Sequence, residues 1–210
     1  MAPNRIEREN PDLTTLLREA AALGRRVTVE GQQWSTKRQF PGRIVIDSWA
    51  GALQTSSELG QRDTLWTDGS RIEGGEVGAA CVWQSPASGG WTGRRFYLGM
   101  NKEVFDAETF AIYQALRVVD RRQESGHCYT IFVDSTAAID RVRTDALGPG
   151  QRFAIAAMGA CDRALARDNE VTVRWVPAHS SMEGNEQVDI TPGQQRVEQS
   201  RTATRYQTGF

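Results

Sequence analysis

No stretch of this chain is apolar for long enough to cross a bilayer, and its opening residues, Asn4-Arg5-Ile6-Glu7-Arg8-Glu9, contain no apolar signal segment. A membrane partner and a secretory route are therefore not expected; an intracellular protein, nuclear or cytoplasmic, is. Cysteine is scarce. Cys81, Cys128 and Cys161 are odd in number and far apart, which excludes a disulfide frame or a paired zinc site and predicts reduced, mostly buried thiols. Internal repeats and low-complexity tracts are absent. A basic surplus is missing too: from Asp63 to Asp189 there are 13 basic and 18 acidic residues, against 9 and 7 in residues 1–62. Affinity for nucleic acid rests on Lys and Arg at phosphates, so an acidic domain acting on such a polymer would grip it weakly. With 39% apolar and 24% charged residues among 210, the composition is that of a globular protein able to bury a real core.

Leu13, Leu16, Leu17, Ala20 and Leu23 follow helical spacing between Asp12 and Gly24, which predicts a helix over 11–24. Short strands are predicted at 27–31 and at Arg43-Ile44-Val45-Ile46-Asp47. These pieces are too few for an independent fold, so residues 1–62 are expected to be a connector or the remnant of an upstream region. Regular signals begin at Asp63. Strands are predicted at 63–68, 77–84 and 91–99, the first ending in an Asp68-Gly69 turn, and the short links between them imply an antiparallel meander. A helix over 106–123 follows, with Asp106 as its cap. Tyr129 to Asp134 is almost wholly apolar, as a strand covered on both faces must be. Helices at 135–144 and 152–167 and a strand at 171–176 complete an α/β order that packs as a mixed sheet with helices on both sides.

Four acids stand out in this frame: Asp68 in Leu65-Trp66-Thr67-Asp68-Gly69-Ser70, Glu108 in Asp106-Ala107-Glu108-Thr109, Asp134 in Ile131-Phe132-Val133-Asp134-Ser135-Thr136, and Asp189 at the end of a segment that starts at His179. Each has an ordinary reading of its own: a turn, a helix first turn, a helix cap, a surface carboxylate. Their joint placement argues otherwise. Asp68 and Asp134 close apolar strands, where open sheets gather ligand-binding residues. Carboxylates converging from separate elements repel one another unless a hard divalent cation, which prefers oxygen ligands, joins them. Trp83, Trp91, Phe96 and Tyr97 alternate along strands and are read as core or cross-strand pairs.

Thr67-Asp68-Gly69-Ser70, Ala107-Glu108, Val133-Asp134-Ser135 and Trp175-Val176-Pro177-Ala178-His179-Ser180 through Gly184-Asn185-Glu186-Gln187-Val188-Asp189 resemble type 1 ribonuclease H, in particular the domain carried by reverse transcriptases of fungal non-LTR retrotransposons. The resemblance covers residues 63–189, and residues 26–62 resemble the segment that precedes the domain in those elements. It implies a ribonuclease H-like five-stranded mixed sheet, three strands antiparallel and then two parallel, over 63–190. It also implies hydrolysis of the RNA strand of an RNA–DNA hybrid with two Mg²⁺ ions, for which Mn²⁺ can substitute. Asp68, Glu108, Asp134 and Asp189 would hold the ions. His179 would assist proton transfer and product release. Gly69, Ser70 and Asn185 would contact or shape the substrate site. A polymerase domain is the implied protein partner, and a monomer is expected.

The resemblance breaks after Asp189, where Ile190-Thr191-Pro192-Gly193 and a polar tail over 191–210 replace an Ala-rich helix. Proline inside a helix costs about 3 kcal/mol. A truncated or frame-shifted copy with impaired activity, binding the hybrid or serving only as a structural remnant, is the alternative expectation.

Overall fold

The computed structural model describes residues 38–59, 63–71, 75–85, 88–100, 102–178 and 183–189, with backbone alone for Glu183, Val188 and Asp189. The helix predicted at 11–24, the strand at 27–31, His179 and the tail over 191–210 lie outside them. The elements run β1 (Arg43–Val45), α1 (Trp49–Glu58), β2 (Thr64–Arg71), β3 (Glu76–Gln84), β4 (Trp91–Met100), α2 (Val104–Arg122), β5 (Cys128–Val133), α3 (Thr136–Arg143), α4 (Gln151–Leu165), β6 (Glu170–Trp175) and α5 (Glu183–Asp189).

The sheet has six strands in the order β1-β6-β5-β2-β3-β4. β2, β3 and β4 form the antiparallel meander. β5 lies parallel to β2, and β6 parallel to β5. The period of two along each strand divides the core. Leu65, Val77, Ala79 and Cys81 face α2, α3 and α4 and join Ile112, Leu116, Ile139 and Met158 in the main cluster. Each of the larger aliphatics among them, fully removed from water, contributes about 1.5–3 kcal/mol. Trp66, Ala80 and Val82 look the other way and meet Phe132 and Val176, with the Trp66 and Phe132 rings stacked at 4.3 Å. β5 separates these two layers, which is why Tyr129 through Val133 are all buried. Cys81 and Cys161 are buried in the main cluster, and burial pushes both thiols up to about 12; Cys128 is exposed.

Three expectations need correction. The sheet gains a sixth strand, because Arg43–Val45 pairs parallel with Thr172–Arg174 of β6. That strand was read from the sequence but assigned to a connector. Its partner lies far along the chain, and three residues carry no alternation to reveal the pairing. The segment before it is stitched in as well: Phe40 N donates to Arg143 O at 2.9 Å, and Asp145 N to Arg38 O at 3.1 Å. Gly42 sits so close to β6 that a side chain there would meet Val171 O at 2.6 Å.

The chain also makes no turn at Asp68-Gly69. β2 continues extended to Arg71, Gly69 opposite Ala79. Lastly, α2 begins at Val104 with Glu103 as cap residue, so Asp106 sits in the first turn. There its charge still favours the helix N-terminus.

Candidate active site

Pairing between β2 and β5 stops at Thr67 opposite Val133, so Asp68 and Asp134, the next residues, leave neighbouring parallel strands side by side. The backbone beneath them is tied down twice. Thr67 Oγ1 donates to Phe132 O at 3.0 Å, and Val176 N donates to Val133 O at 2.9 Å. The Trp175 indole N–H adds a bond to Asp134 O at 3.1 Å. The next helix is capped by Ser135 and not by Asp134: the Ser135 hydroxyl accepts from Ala138 N at 3.2 Å.

Glu108 reaches the same place from below the sheet. A Cβ on Gly69 would lie 2.4 Å from Glu108 N and 2.8 Å from the Ala107 carbonyl carbon. Glycine at this position lets the first turn of α2 rest directly on β2, next to Asp68. The Glu108 carboxyl accepts a hydrogen bond from Ser135 and feels the charge of Asp134. Partial burial raises its pKa above the ordinary glutamate value, the Ser135 bond pulls it back, and Asp134 pushes it up again.

On the opposite face, α5 crosses β2 and β3 with Gly184 against Trp66, where a Cβ would come within 2.2 Å of the indole nitrogen. Asp189 is the last residue of this helix. Two residues expected to touch substrate are instead buried. Gly69 is covered by α2, and Asn185 is 4% exposed within α5. Their burial suits them to holding helices in place. Ser70 remains half-buried at the strand surface.

The oxygens of Asp68, Glu108 and Asp134 are more widely spread than a tight three-ligand cage. Among the described residues, ligand atoms all within 4.8 Å of one another occur at Asp63, Glu124 and His127. A donor set of carboxylates from three elements still suits hard divalent cations, and a two-ion site, with ions about 3.5–4 Å apart, needs an open arrangement.

The compact trio sits at the other end of the strands, about 17 Å from Asp68 at about 3.3 Å per residue along β2. There His127 Nδ1 lies 3.0 Å from Asp63 Oδ2, and Arg122 Nη1 lies 3.6 Å from Asp63 Oδ1. The Tyr129 hydroxyl donates to Glu124 at 2.6 Å, and burial followed by that bond pushes its pKa up to about 12. With the Arg122 guanidinium already beside Asp63, this is an ion-pair network closing the amino ends of β2 and β5. Sequence reading missed it because its members are single residues in loops and strand ends. Ser135 and Trp175 were also missed as supports for the acids; the hydroxyl directly after Asp134 was the available signal.

A sequence profile of the RNase H family matches residues 60–196. No curated protein matches the chain. Among solved structures, RNase H1 from the halophilic archaeon Halobacterium salinarum NRC-1 is similar at 18% identity and a TM-score of 0.43, over 60% of this chain and 90% of that one.

Proposed function

The chain belongs to the ribonuclease H family, and from that premise we propose that it cleaves the RNA strand of RNA–DNA hybrids endonucleolytically, using two divalent cations. What supports the reading above all is the meeting of Asp68 and Asp134 at adjacent strand ends with Glu108 pinned beside them by Gly69. Asp68, Glu108, Asp134 and Asp189 would hold the ions, Mg²⁺ by preference and Mn²⁺ in its place. The chemistry such ions supply is activation of a water and stabilisation of the departing 3′ oxygen.

The protein's own part is positioning and proton handling. The tied backbone of Thr67 and Val133 fixes the two aspartates, so little reorganisation is needed when substrate arrives. Glu108, held by the Ser135 hydroxyl, stands where a carboxylate can read the ribose 2′-OH that separates RNA from DNA. Ser70 contacts the strand being cut, while Gly69 and Asn185 set the helices on either side. His179 moves a proton to or from the product and is auxiliary. In keeping with its motifs, we place the domain with those of non-LTR retrotransposon reverse transcriptases, with a polymerase region as partner.

The test is incubation of the full chain with a hybrid labelled on each strand, in Mg²⁺ and in Mn²⁺. Cleavage of the RNA strand alone is expected, lost in Asp68→Asn and Asp134→Asn and only slowed in His179→Ala. A folded sample that leaves the RNA intact in both metals refutes the reading.

A further inference from the structure

Four strands, β1, β6, β5 and β2, run parallel, so their carboxyl ends share one edge of the sheet. Asp68 and Asp134 occupy that edge on β2 and β5. On the same edge, just past β1, stands Trp49, the first residue of α1, with 58% of its surface in water. Isolated exposed aliphatics are ordinary on any protein. An indole more than half solvated, beside an array of carboxylates, is not accounted for by packing.

The ring is firmly presented. Ser48 caps α1 by accepting from Gly51 N at 3.3 Å, while Ala52 and Ser56 bury the underside of the helix. Asp47 pairs with Arg174 of β6, fixing the base of the helix to the sheet. Trp49 meets Trp175 edge-on at 6.4 Å between centroids, and Trp175 itself donates to Asp134 O. A continuous line of contacts thus joins Trp49 to one of the acids.

We propose that Trp49 is a substrate-contact residue whose exposed indole face lies against the sugars of the RNA–DNA hybrid cut at Asp68 and Asp134; this rests on the hybrid-nuclease reading and deepens it. Strands lie about 4.8 Å apart, so two steps from β5 to β1 put the ring about 10 Å from Asp134. At about 3.4 Å of rise per base pair, that is some three pairs from the cut. The bases of a duplex are stacked on each other and unavailable there. What a wide, shallow minor groove offers a flat ring is the faces of the sugars. Charge gives the contact a purpose. The domain is net acidic, and the neighbouring Arg174 is committed to Asp47. Grip that ion pairing does not supply has to come from apolar contact.

The experiment compares the full chain with Trp49→Ala and Trp49→Phe. Binding of a fluorescent hybrid is followed by anisotropy in Ca²⁺ over a salt series, and cleavage is followed in Mg²⁺. Losing the apolar area of an indole face laid against sugars means that Trp49→Ala should raise Kd and KM together by about tenfold. kcat and the slope of log K against log salt should stay unchanged, because no phosphate contact is removed. Trp49→Phe should bind nearly as the parent does. Equal Kd for parent and Trp49→Ala overturns the assignment, and so does a fall in kcat at unchanged Kd, which marks a structural role. A parent that binds no hybrid overturns both readings. A parent that binds without cutting, and loses binding in Trp49→Ala, defeats only the nuclease reading and supports this one.

Discussion

Replacing Gly69 by alanine adds one methyl group at the point where β2 and α2 touch. Its carbon would sit 2.4 Å from Glu108 N, 2.6 Å from Glu108 Cγ and 2.8 Å from the Ala107 carbonyl carbon. Ordinary contact starts near 3.4 Å, so α2 has to retreat by roughly 1 Å. Two of the three atoms are backbone, so no side-chain rotation alone relieves the contact. Overpacking of this sort costs about 1–3 kcal/mol. In a chain of this size each kcal/mol lowers Tm by about 2–4 °C, so a drop of about 2–12 °C is expected. Catalysis should suffer more than stability, because a 1 Å displacement of a reacting group costs about a hundredfold in rate. Glu108 would recede from Asp68 and Asp134 while the strands themselves stayed paired. The assay is hybrid cleavage at a temperature well below both Tm values, with Gly78→Ala as control. There the added carbon meets only Phe96 O, at 3.3 Å. Full activity and parental Tm in Gly69→Ala would mean that the close approach does not position Glu108, and the account of the site would fail.

Glu108→Gln should be inactive yet more stable than the parent at neutral pH in EDTA. The folded pKa of Glu108 is raised, so the folded state binds more protons than the unfolded chain between about pH 4.3 and that higher value, and stability falls as pH rises through this window. The amide escapes that penalty, and the Tm difference should close below pH 4; thermal melts across pH check it, and a variant less stable at pH 7 contradicts the sign. Adding Mg²⁺ should then raise the parent's Tm more than the variant's, since a ligand stabilises in proportion to its hold on the folded state. Gly184→Ala should lift α5 off Trp66, whose indole nitrogen would lie 2.2 Å from the new carbon. A loss of about 1–3 kcal/mol, a change in tryptophan emission and weakened cleavage are expected together; unaltered emission would show that α5 does not rest on that ring.

The meander, α2 and the doubly buried β5 were legible because each carries a local pattern: alternation, helical spacing or an unbroken apolar run. The neighbouring placement of Asp68 and Asp134 was legible for the same reason, as each follows an apolar run that reads as a strand. The role of Gly69 was not. Asp-Gly after an apolar run has the composition of a turn, and only the distant first turn of α2 shows why glycine stands there. β1 was seen as a strand yet placed outside the sheet, since no feature of Arg43–Val45 names Thr172–Arg174 as its partner. Asn185 was read among the residues that contact or shape the substrate site, and its burial, which depends on α5 lying across the sheet, was not legible. What the sequence withheld was in each case a contact between elements far apart in the chain.

The three residues of β1 decide what the flank of the sheet offers to other molecules. Cutting the chain at Asp63 would strip them away and leave β6, twice as long, with a row of idle amide and carbonyl groups along one side. A bare flank of that kind is a template on which a second chain can zip itself. With β1 in place the frontier is only three residues long, and Gly42 and the Asp47–Arg174 pair clasp both its ends. Residues 38–47 thereby act as a selvedge that shortens the edge on this flank of the sheet.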